Sequence, residues 1–558
     1  MGYKSENRIC QNCKKDFIIE PDDFGFYEKI KVPPPTFCPH CRYLRRLLDR
    51  NEYNFYKRKC DATGKDIISI YRQDVPFPVY EQEYWKSDKF DAMQYGRDFD
   101  FNRPFFEQYE ELRRLVPHVA MVNSNSVNSE YTNQAEDNKD CYMLVTSGNN
   151  EKCMYGSWCD YSFSCSDCYM INKCEFCYEC LNMTNCSHCS WSQDSANCVN
   201  VYFSNDCRGC IDCFGCVGLR SKKNCWFNKQ LTKEEYAQRI KDLSFNAKSI
   251  QEIINKAKTL RLSLPFKYYH GFQAQNFSGD YLENVERTQK SFNCRDMKDA
   301  AYMQDAWFKT ADCLDCTEII IGELSYEIQG VAVPTRTIVA RSCHSTITDS
   351  YYCDMCFGAQ DCLGCFGLKQ KQYCILNKQY TKGDYIKLKA KIVEHMRKTG
   401  EWGEYFPSNV SPFAYNETMA QDYFPLTKDE AMKAGYSWHD RPARDYKITG
   451  EVIKCSSQNS AENRKKYTLC TTAFRTTPLE LSLYKILKLP IPEKCFPCRR
   501  QDRFTLRNPR KLWHRSCMCD KKNHFHGGAL CEVEFETSYA PDRPEIVYCE
   551  KCYQQEVY

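Results

Sequence analysis

The spacing of the cysteines constrains this chain most, because it repeats at the two ends of the sequence. In both copies two cysteines lie 25 positions apart (38 − 13 = 25 and 495 − 470 = 25), and a third follows three positions later. The cysteines are Cys13, Cys38 and Cys41 in the first copy and Cys470, Cys495 and Cys498 in the second. The sequence therefore contains one cysteine-rich module twice.

A second duplication lies inside the chain. Cys213-Phe-Gly-Cys216 matches Cys362-Leu-Gly-Cys365 at an offset of 149 (362 − 213 = 149). In the first of these arrays sixteen cysteines, from Cys141 to Cys225, stand on residue numbers divisible by three. Several recur 21 positions apart, such as Cys165, Cys186 and Cys207. This pattern predicts a β-solenoid with rungs of 21 residues and short sides, because one rung cannot bury its inner face alone.

The array cysteines allow three interpretations. Small apolar thiols filling a narrow interior are favoured. Metal clusters and a redox or disulfide stack remain as alternatives. The second array is poorer in cysteine, runs from Cys294 through Cys343 to Cys374, and can depart from the pattern between Glu318 and Thr335.

The predicted fold class is mixed and mainly β, with zinc-ribbon or treble-clef modules at both ends flanking cysteine-rich β-solenoid-like arrays. Helical caps follow the arrays, from Thr232 to about Leu260 and from Thr381 to about Lys398. The predicted segments are a zinc ribbon with a basic segment (1–59), a metal-free second module (60–118), the first array (119–230), a helical cap (231–272), the second array (273–380), a cap and linker (381–450), the duplicated partial ribbon (451–516) and a C-terminal zinc module (517–558).

Composition and cysteine usage indicate the compartment. The sequence shows no apolar leader and no run of the roughly 18 to 20 apolar residues that a membrane span needs. In a reducing compartment, cysteine pairs at Cys-x-x-Cys spacing are more often metal ligands than disulfides. We therefore expect a cytoplasmic protein without a membrane partner, and the sequence does not predict its oligomeric state.

The first metal site is predicted from two cysteine knuckles. Cys10-Gln-Asn-Cys13 and Cys38-Pro-His-Cys41 supply four thiolates, which is the ligand set of a closed, tetrahedral structural zinc site. A redox dithiol would require a βαβ context that the segment lacks.

A second site is predicted at the C-terminus. Cys549 and Cys552 form a knuckle, and its partners are Cys531 together with either Cys517 or Cys519. Four sulfurs are favoured. His524 and His526 are possible substitutes.

The sequence leaves the ligands of a third site undecided. Tyr467 stands where the first copy has Cys10, which leaves Cys470, Cys495 and Cys498. Cys455 or a nearby histidine could complete a structural site, a water could leave it open as in catalytic zinc, or no metal binds. We therefore expect two or three structural zinc ions. Cys60 lacks partners, because Glu81 and Tyr84 replace the second knuckle.

Basic and aromatic residues alternate after both ribbons. This pattern suits phosphate contacts and base stacking, so RNA or a ribosome is a predicted partner. A protein partner or packing within the chain explains the same pattern through a solvated or packed helix face. The candidate nucleic-acid residues are Arg45, Arg46, Arg50, Phe55, Tyr56, Lys57, Arg507, Arg510 and Trp513.

The chain carries no recognised enzyme motif. It has no phosphate-binding glycine loop, no Gly-x-Ser-x-Gly elbow and no His-Glu-x-x-His pair. A non-catalytic zinc-binding protein that associates with RNA or a ribosome is therefore predicted, with a protein interaction scaffold and a metal-dependent or redox enzyme that uses the cysteine-rich array as alternatives.

Several sequence segments resemble parts of known bacterial proteins. Residues 10–42 resemble a bacterial zinc-ribbon module, and residues 543–553 resemble the end of small zinc modules. With Cys60-Asp-Ala-Thr-Gly-Lys65 and Phe535-Glu-Thr-Ser-Tyr-Ala540, the whole layout resembles a family of long, cysteine-rich zinc-ribbon proteins of uncultured, small-genome bacteria, some labelled CaiB/BaiF-like. The resemblance implies zinc binding. The CoA-transferase label would require a nucleotide-binding α/β core.

Overall fold

The computed structural model describes residues 3–330, 333–341, 346–441 and 452–557. The chain divides into two compact units. Unit 1 consists of Met1–Val122 and Gly271–Asp440, and unit 2 consists of Asn123–His270 and Arg441–Tyr558. Each unit thus contains one copy of the cysteine-rich ribbon and one of the two repeat arrays.

The first ribbon is a hairpin followed by two helices. Strands β1 (Glu6–Ile9) and β2 (Asp16–Ile19) pair antiparallel, and α1 (Pro21–Ile30) and α2 (Pro39–Leu48) follow. Proline at the first position of each helix supplies a helical φ where no intrahelical N–H bond is needed. Because Cys38 is the N-cap of α2 and Cys41 lies in its first turn, both thiols stand at the same helix end.

The second module, around Cys60, is small and continues unit 1. Antiparallel strands β3 (Tyr56–Lys59) and β4 (Asp66–Ser69) come first. Strand β5 (Val79–Tyr80) then pairs parallel with β6 (His118–Val119). The helices between them are α3 (Gln82–Lys86) and α4 (Phe105–Leu115).

Most strands of the first array pair parallel to one another. Tyr169 pairs with Leu181, and Leu181 pairs with Gln193, so the pairing repeats every twelve residues. The spacing of 21 residues expected from the sequence is wrong for this reason. The strands are β7 (Asn123–Ser124), β8 (Ala135–Glu136), β9 (Tyr142–Val145), β10 (Met154–Asp160), β11 (Tyr169–Asn172), β12 (Leu181–Thr184), β13 (Gln193–Ala196), β14 (Val199–Tyr202), β15 (Ile211–Phe214), β16 (Lys223–Trp226) and β17 (Lys229–Gln230).

The chain turns a corner every three residues in this array. Tyr155, Trp158 and Tyr161 have φ values of 54°, 56° and 51°, in the left-handed region, and the pattern continues along the array. The buried cysteines, such as Cys153 and Cys159, stand two positions before these corners. A turn of twelve residues thus has four short sides, which explains why the cysteines recur at multiples of three.

Two helices close unit 2's array where the sequence predicts one. Helix α5 (Lys233–Lys241) starts at the Thr232 capping box, and Asn246 caps a new helix, α6 (Ala247–Leu262). The Asn246 side chain accepts a hydrogen bond from the Ser249 backbone, which starts the second helix rather than continuing the first.

The second array has the same parallel pairing, and its described residues include two spacings of thirteen rather than twelve positions. Ala311 pairs with Glu323, twelve positions on, whereas Met297 pairs with Thr310 and Val333 with Thr346, thirteen positions on. Pairing at twelve continues through Glu323 and Thr335, within the stretch expected to depart. Cys343 lies outside the described residues. The strands from Phe266 on are β18 (Phe266–Lys267), β19 (Gly271–Ala301), β20 (Gln304–Ala306), β21 (Thr310–Leu314), β22 (Glu323–Tyr326), β23 (Val333–Thr335), β24 (Thr346–Thr348), β25 (Ala359–Gln360), β26 (Cys374–Ile375) and β27 (Lys378–Gln379).

The C-terminal part repeats the helix pair of the first ribbon. Helix α11 (Pro478–Leu487) is followed by its cap Lys488, which is left-handed (φ 55°) like Lys31, the cap of α1 (φ 61°). Helix α12 (Phe496–Phe504) starts after Cys495, as α2 starts after Cys38. The elements from α7 on are α7 (Lys382–Thr399), α8 (Ala420–Tyr423), α9 (Lys428–Lys433), β28 (Ile453–Lys454), α10 (Ala461–Lys466), β29 (Ala473–Phe474), α11 (Pro478–Leu487), α12 (Phe496–Phe504), β30 (Trp513–Ser516), β31 (Glu534–Thr537), β32 (Val547–Tyr548) and α13 (Glu550–Val557).

The predicted mixed, mainly β chain with cysteine clusters at both ends is confirmed at this level, and most of its strand pairs are parallel. None of the helices in the described part of the chain combines the length and apolarity that crossing a membrane requires.

The interior of the first array yields a stability prediction. Cys180 and Ser192 are stacked twelve positions apart, and both side chains point at the carbonyl oxygens two positions before and nine after themselves. Cys180→Ser should therefore be tolerated. Cys180→Leu should destabilise the array by about 1–3 kcal/mol through overpacking, because Cys180 is fully buried. Urea denaturation of both variants checks this, and equal stability of the two would contradict the stacking.

Candidate metal centres

Four sulfurs converge in the first ribbon. The thiols of Cys10, Cys13, Cys38 and Cys41 all lie within 4.8 Å of one another, and the Cys13 and Cys38 sulfurs are 3.8 Å apart. A zinc ion with Zn–S bonds of about 2.3 Å would set sulfurs about 3.8 Å apart, so the spacing fits a tetrahedral ion. The Cys38 N–H points at the Cys10 sulfur (3.3 Å) and the Asn12 amide at the Cys41 sulfur (3.4 Å). A hydrogen bond from Cys38, together with the one from Asn12, lowers the pKa of Cys41.

Cys455 completes the second group. It lies with Cys470, Cys495 and Cys498, with sulfur separations of 3.9 Å from Cys455 to Cys498 and 3.8 Å from Cys495 to Cys470. The Cys495 N–H points at the Cys455 sulfur (3.2 Å), as the Cys38 N–H does at Cys10. Cys455 thus takes the role of Cys10. Of the alternatives left open by the sequence, the structure favours four sulfurs over a histidine or water.

Neighbouring thiols stabilise the Cys455 thiolate. Hydrogen bonds from Cys470, Cys495 and Cys498 lower the pKa of Cys455 well below its usual range. A group with one thiolate already favoured needs fewer proton losses to bind a cation.

The third group lies at the C-terminus and resolves the choice between two cysteines. Cys517, not Cys519, lies with Cys531, Cys549 and Cys552. The Cys531 and Cys549 sulfurs are 3.9 Å apart, and the Cys549 N–H points at the Cys517 sulfur (3.2 Å). This N–H to sulfur contact therefore recurs in all three four-cysteine groups.

Cys519 belongs to a fourth group. Its thiol lies within 4.8 Å of His524, His526 and Cys552. From the sequence, both histidines were possible replacements for a cysteine ligand in a single C-terminal site. The structure instead places them beside Cys519.

The remaining cysteines are arranged differently. Cys60 keeps the backbone contact of the other copies, from the Glu81 N–H to its sulfur (3.2 Å). Among the described residues, neither Cys60 nor any three array cysteines form a group of converging ligands. All cysteines of the described chain are free thiols. This arrangement favours the core-filling interpretation of the array.

The predicted nucleic-acid residues of the first ribbon lie largely inside unit 1. Arg45, Arg46 and Arg50 are 7%, 0% and 1% exposed. Phe55 and Tyr56 are half-buried, and Lys57 is exposed. These positions favour packing within the chain, the alternative that the sequence left open.

The arginines of α2 bind carboxylates of the second array. Arg42 contacts Asp315 through its Nε (2.9 Å) and Nη2 (2.8 Å), and Arg46 lies 3.5 Å from both Asp315 and Glu327. All four side chains are essentially inaccessible to solvent. Arg50 pairs with Glu318 and with Glu52.

The same contact between helix arginines and array carboxylates, called the joint below, occurs in unit 2. Arg499 and Arg503, which correspond to Arg42 and Arg46, both contact Asp167, and Arg503 also lies 2.8 Å from Glu179. The carboxylates match at an offset of 148 (315 − 167 and 327 − 179), one less than the offset of the later cysteines, because a thirteen-residue turn intervenes at Val333–Thr346. These four acids were not predicted from the sequence, although their common offset of 148 positions is present in it.

The corresponding residues after the second ribbon are more accessible. Arg507, Arg510 and Trp513 are each half-buried. The Arg507 guanidinium lies 4.2 Å from the centre of the Tyr169 ring, and the ammonium of Lys511 lies 4.9 Å from that of Trp513.

Comparison with known proteins assigns no family. No family model matches the sequence, and no curated protein matches it. A crystal structure from Desulfovibrio desulfuricans G20, described as a candidate acetyltransferase, covers 48% of this chain and 70% of its own, with 12% identity and a TM-score of 0.10. A likeness this low assigns neither fold nor function.

Removing one ligand tests the first group. Cys38→Ser should lower the metal content of the full chain by one ion and unfold the first ribbon locally, because binding energy is folding energy in such sites. Elemental analysis and limited proteolysis measure this. Unchanged metal content would exclude the first group, and Cys60→Ser is the matched control that should change nothing.

Removing a buried carboxylate tests the joint. Asp315→Asn should cost about 3–5 kcal/mol, because it leaves two buried guanidinium groups short of a partner. Asp299→Asn is the control, since Asp299 also binds an arginine, Arg287, but at the exposed surface, where loss should matter little. Urea denaturation compares the two, and equal effects would contradict the proposed burial.

Proposed function

We propose that this chain is a zinc-binding, non-catalytic scaffold protein. The observation that carries the proposal is the set of three four-cysteine groups, each with sulfurs within 4.8 Å of one another. Four thiolates close a tetrahedral zinc, which leaves no position for a substrate or an activated water, so the ions act structurally. The many free thiols suit a reducing compartment such as the cytoplasm.

In this proposal zinc holds the arginine helices in place. Cys38 and Cys41 fix the start of α2, and Arg42 and Arg46 follow on the same helix. Cys495 and Cys498 do the same for Arg499 and Arg503 on α12. Loss of zinc would free these helices and withdraw the guanidinium groups from the array acids.

The repeat arrays are the scaffold itself. We regard both as β-solenoids, supported by parallel pairing at twelve residues and by corners at every third residue. Stacked turns present long outer faces, which repeat proteins commonly use to bind partners.

RNA or ribosome binding is the second candidate. It is supported by the exposed Lys57 and by Lys511 beside the half-buried Trp513, a cation and an aromatic ring at accessible positions. Phosphate contacts and base stacking need such a pair. The buried arginines of α2 and α12 take no part in this candidate.

A salt titration distinguishes the two candidates. If RNA binds, affinity for single-stranded RNA should fall steeply with salt, Lys57→Ala plus Lys511→Ala should flatten the slope, and Trp513→Ala should weaken binding by about 1–3 kcal/mol. Gel shifts at several salt concentrations measure this. Lys229→Ala, at an exposed lysine outside the ribbons, is the control. If RNA binding is weak and none of these variants changes it, the RNA candidate is wrong and only the protein scaffold remains.

A further inference from the structure

We propose that the C-terminal module binds two metal ions that share the Cys552 thiolate. The inference rests on the proposed zinc binding of the third group and adds a second ion beside it. The first ion takes Cys517, Cys531, Cys549 and Cys552, and the second takes Cys519, His524, His526 and Cys552.

The second ligand set is chemically complete. The Cys519 sulfur lies 3.1 Å from Nδ1 of His524 and 3.4 Å from Nε2 of His526. One thiol proton can serve only one of two nitrogens, whereas a cation satisfies the sulfur and both lone pairs at once. With bonds of about 2.3 Å to sulfur and 2.0–2.1 Å to nitrogen, a tetrahedral zinc sets sulfur and nitrogen about 3.6 Å apart. The observed separations of 3.1 and 3.4 Å are shorter than this value, so ion binding would move these three side chains slightly apart.

The carboxylate of Glu556 lies beside one of the histidines. Nε2 of His524 lies 3.2 Å from Glu556, on the side of the ring away from Cys519. A metal-bound histidine commonly has a carboxylate at its other nitrogen, which holds the ring and keeps the metal-facing nitrogen unprotonated. The His524 side chain is 2% exposed, so Glu556 approaches it at a buried position.

Sharing of Cys552 follows from its position in both groups. It is fully buried, as is Cys519. Two divalent ions carry four positive charges, and the five cysteines supply five thiolates, so the pair of sites is nearly neutral in a setting where isolated charge is costly. Cys517 and Cys519, two positions apart, then give one thiolate to each ion, which explains a spacing too tight for an ordinary knuckle.

Zinc counting of the full chain is the first test. The double variant His524→Ala with His526→Ala should lose one zinc ion per chain relative to the native protein. His514→Ala, an exposed histidine of the same module, should lose none. An unchanged count in the double variant would overturn the second ion while leaving the third group intact. A native protein without zinc would instead overturn the proposed function as well.

Cadmium NMR tests the bridge. With cadmium in place of zinc, the native module should give two resonances coupled to each other through the Cys552 sulfur. His526→Cys supplies a thiolate in place of the imidazole, so it should keep both ions and the coupling while moving one resonance towards that of an all-sulfur site. If the double alanine variant misfolds, His526→Cys still tests for the second ion and the shared thiolate. Two uncoupled resonances, or a single one, would overturn the shared thiolate.

Discussion

The buried contact between arginines and carboxylates is the interaction on which each unit depends. Moving a guanidinium and a carboxylate out of water costs several kcal/mol per ion, and only close geometry with further hydrogen bonds recovers it. Arg42 meets that condition through two contacts to Asp315, and Arg46 adds hydrogen bonds to Thr317 (3.0 Å) and Gln304 (3.2 Å). The joint therefore tolerates little displacement of α2.

The two buried acids of unit 2, Asp167 and Glu179, differ in their pKa shifts. Burial opposes ionisation of Asp167, but Arg499 and Arg503 outweigh it and lower the pKa of this carboxyl. Burial raises the pKa of Glu179 and of Glu327 to about 7, against the pull of their arginines. Asp167 thus carries the firm negative charge in unit 2, while the glutamates hold their protons more readily.

The metal groups and the arrays use the same residue for opposite purposes. In the four-cysteine groups the sulfurs come from two or three separate segments and converge, as those of Cys13 and Cys38 do. In the arrays each thiol lies on its own short side and bonds weakly to carbonyl oxygens, as Cys180 does with those of Tyr178 and Cys189. Convergence, rather than cysteine content, distinguishes a ligand from a small core side chain.

The sequence by itself determined the local cysteine pairs and the helix starts after Thr232 and Thr381, because each depends on residues within a few positions of one another. It also determined the duplication, because both copies keep the same spacings. Tertiary structure decided the rest. Turns of 12 and 21 residues both fit a spacing of three, and only strand pairing selects twelve. Cys455 joined Cys470, and Arg46 was buried rather than exposed, because these outcomes depend on segments far apart in the chain. No local spacing records which distant acid or thiol a side chain will meet.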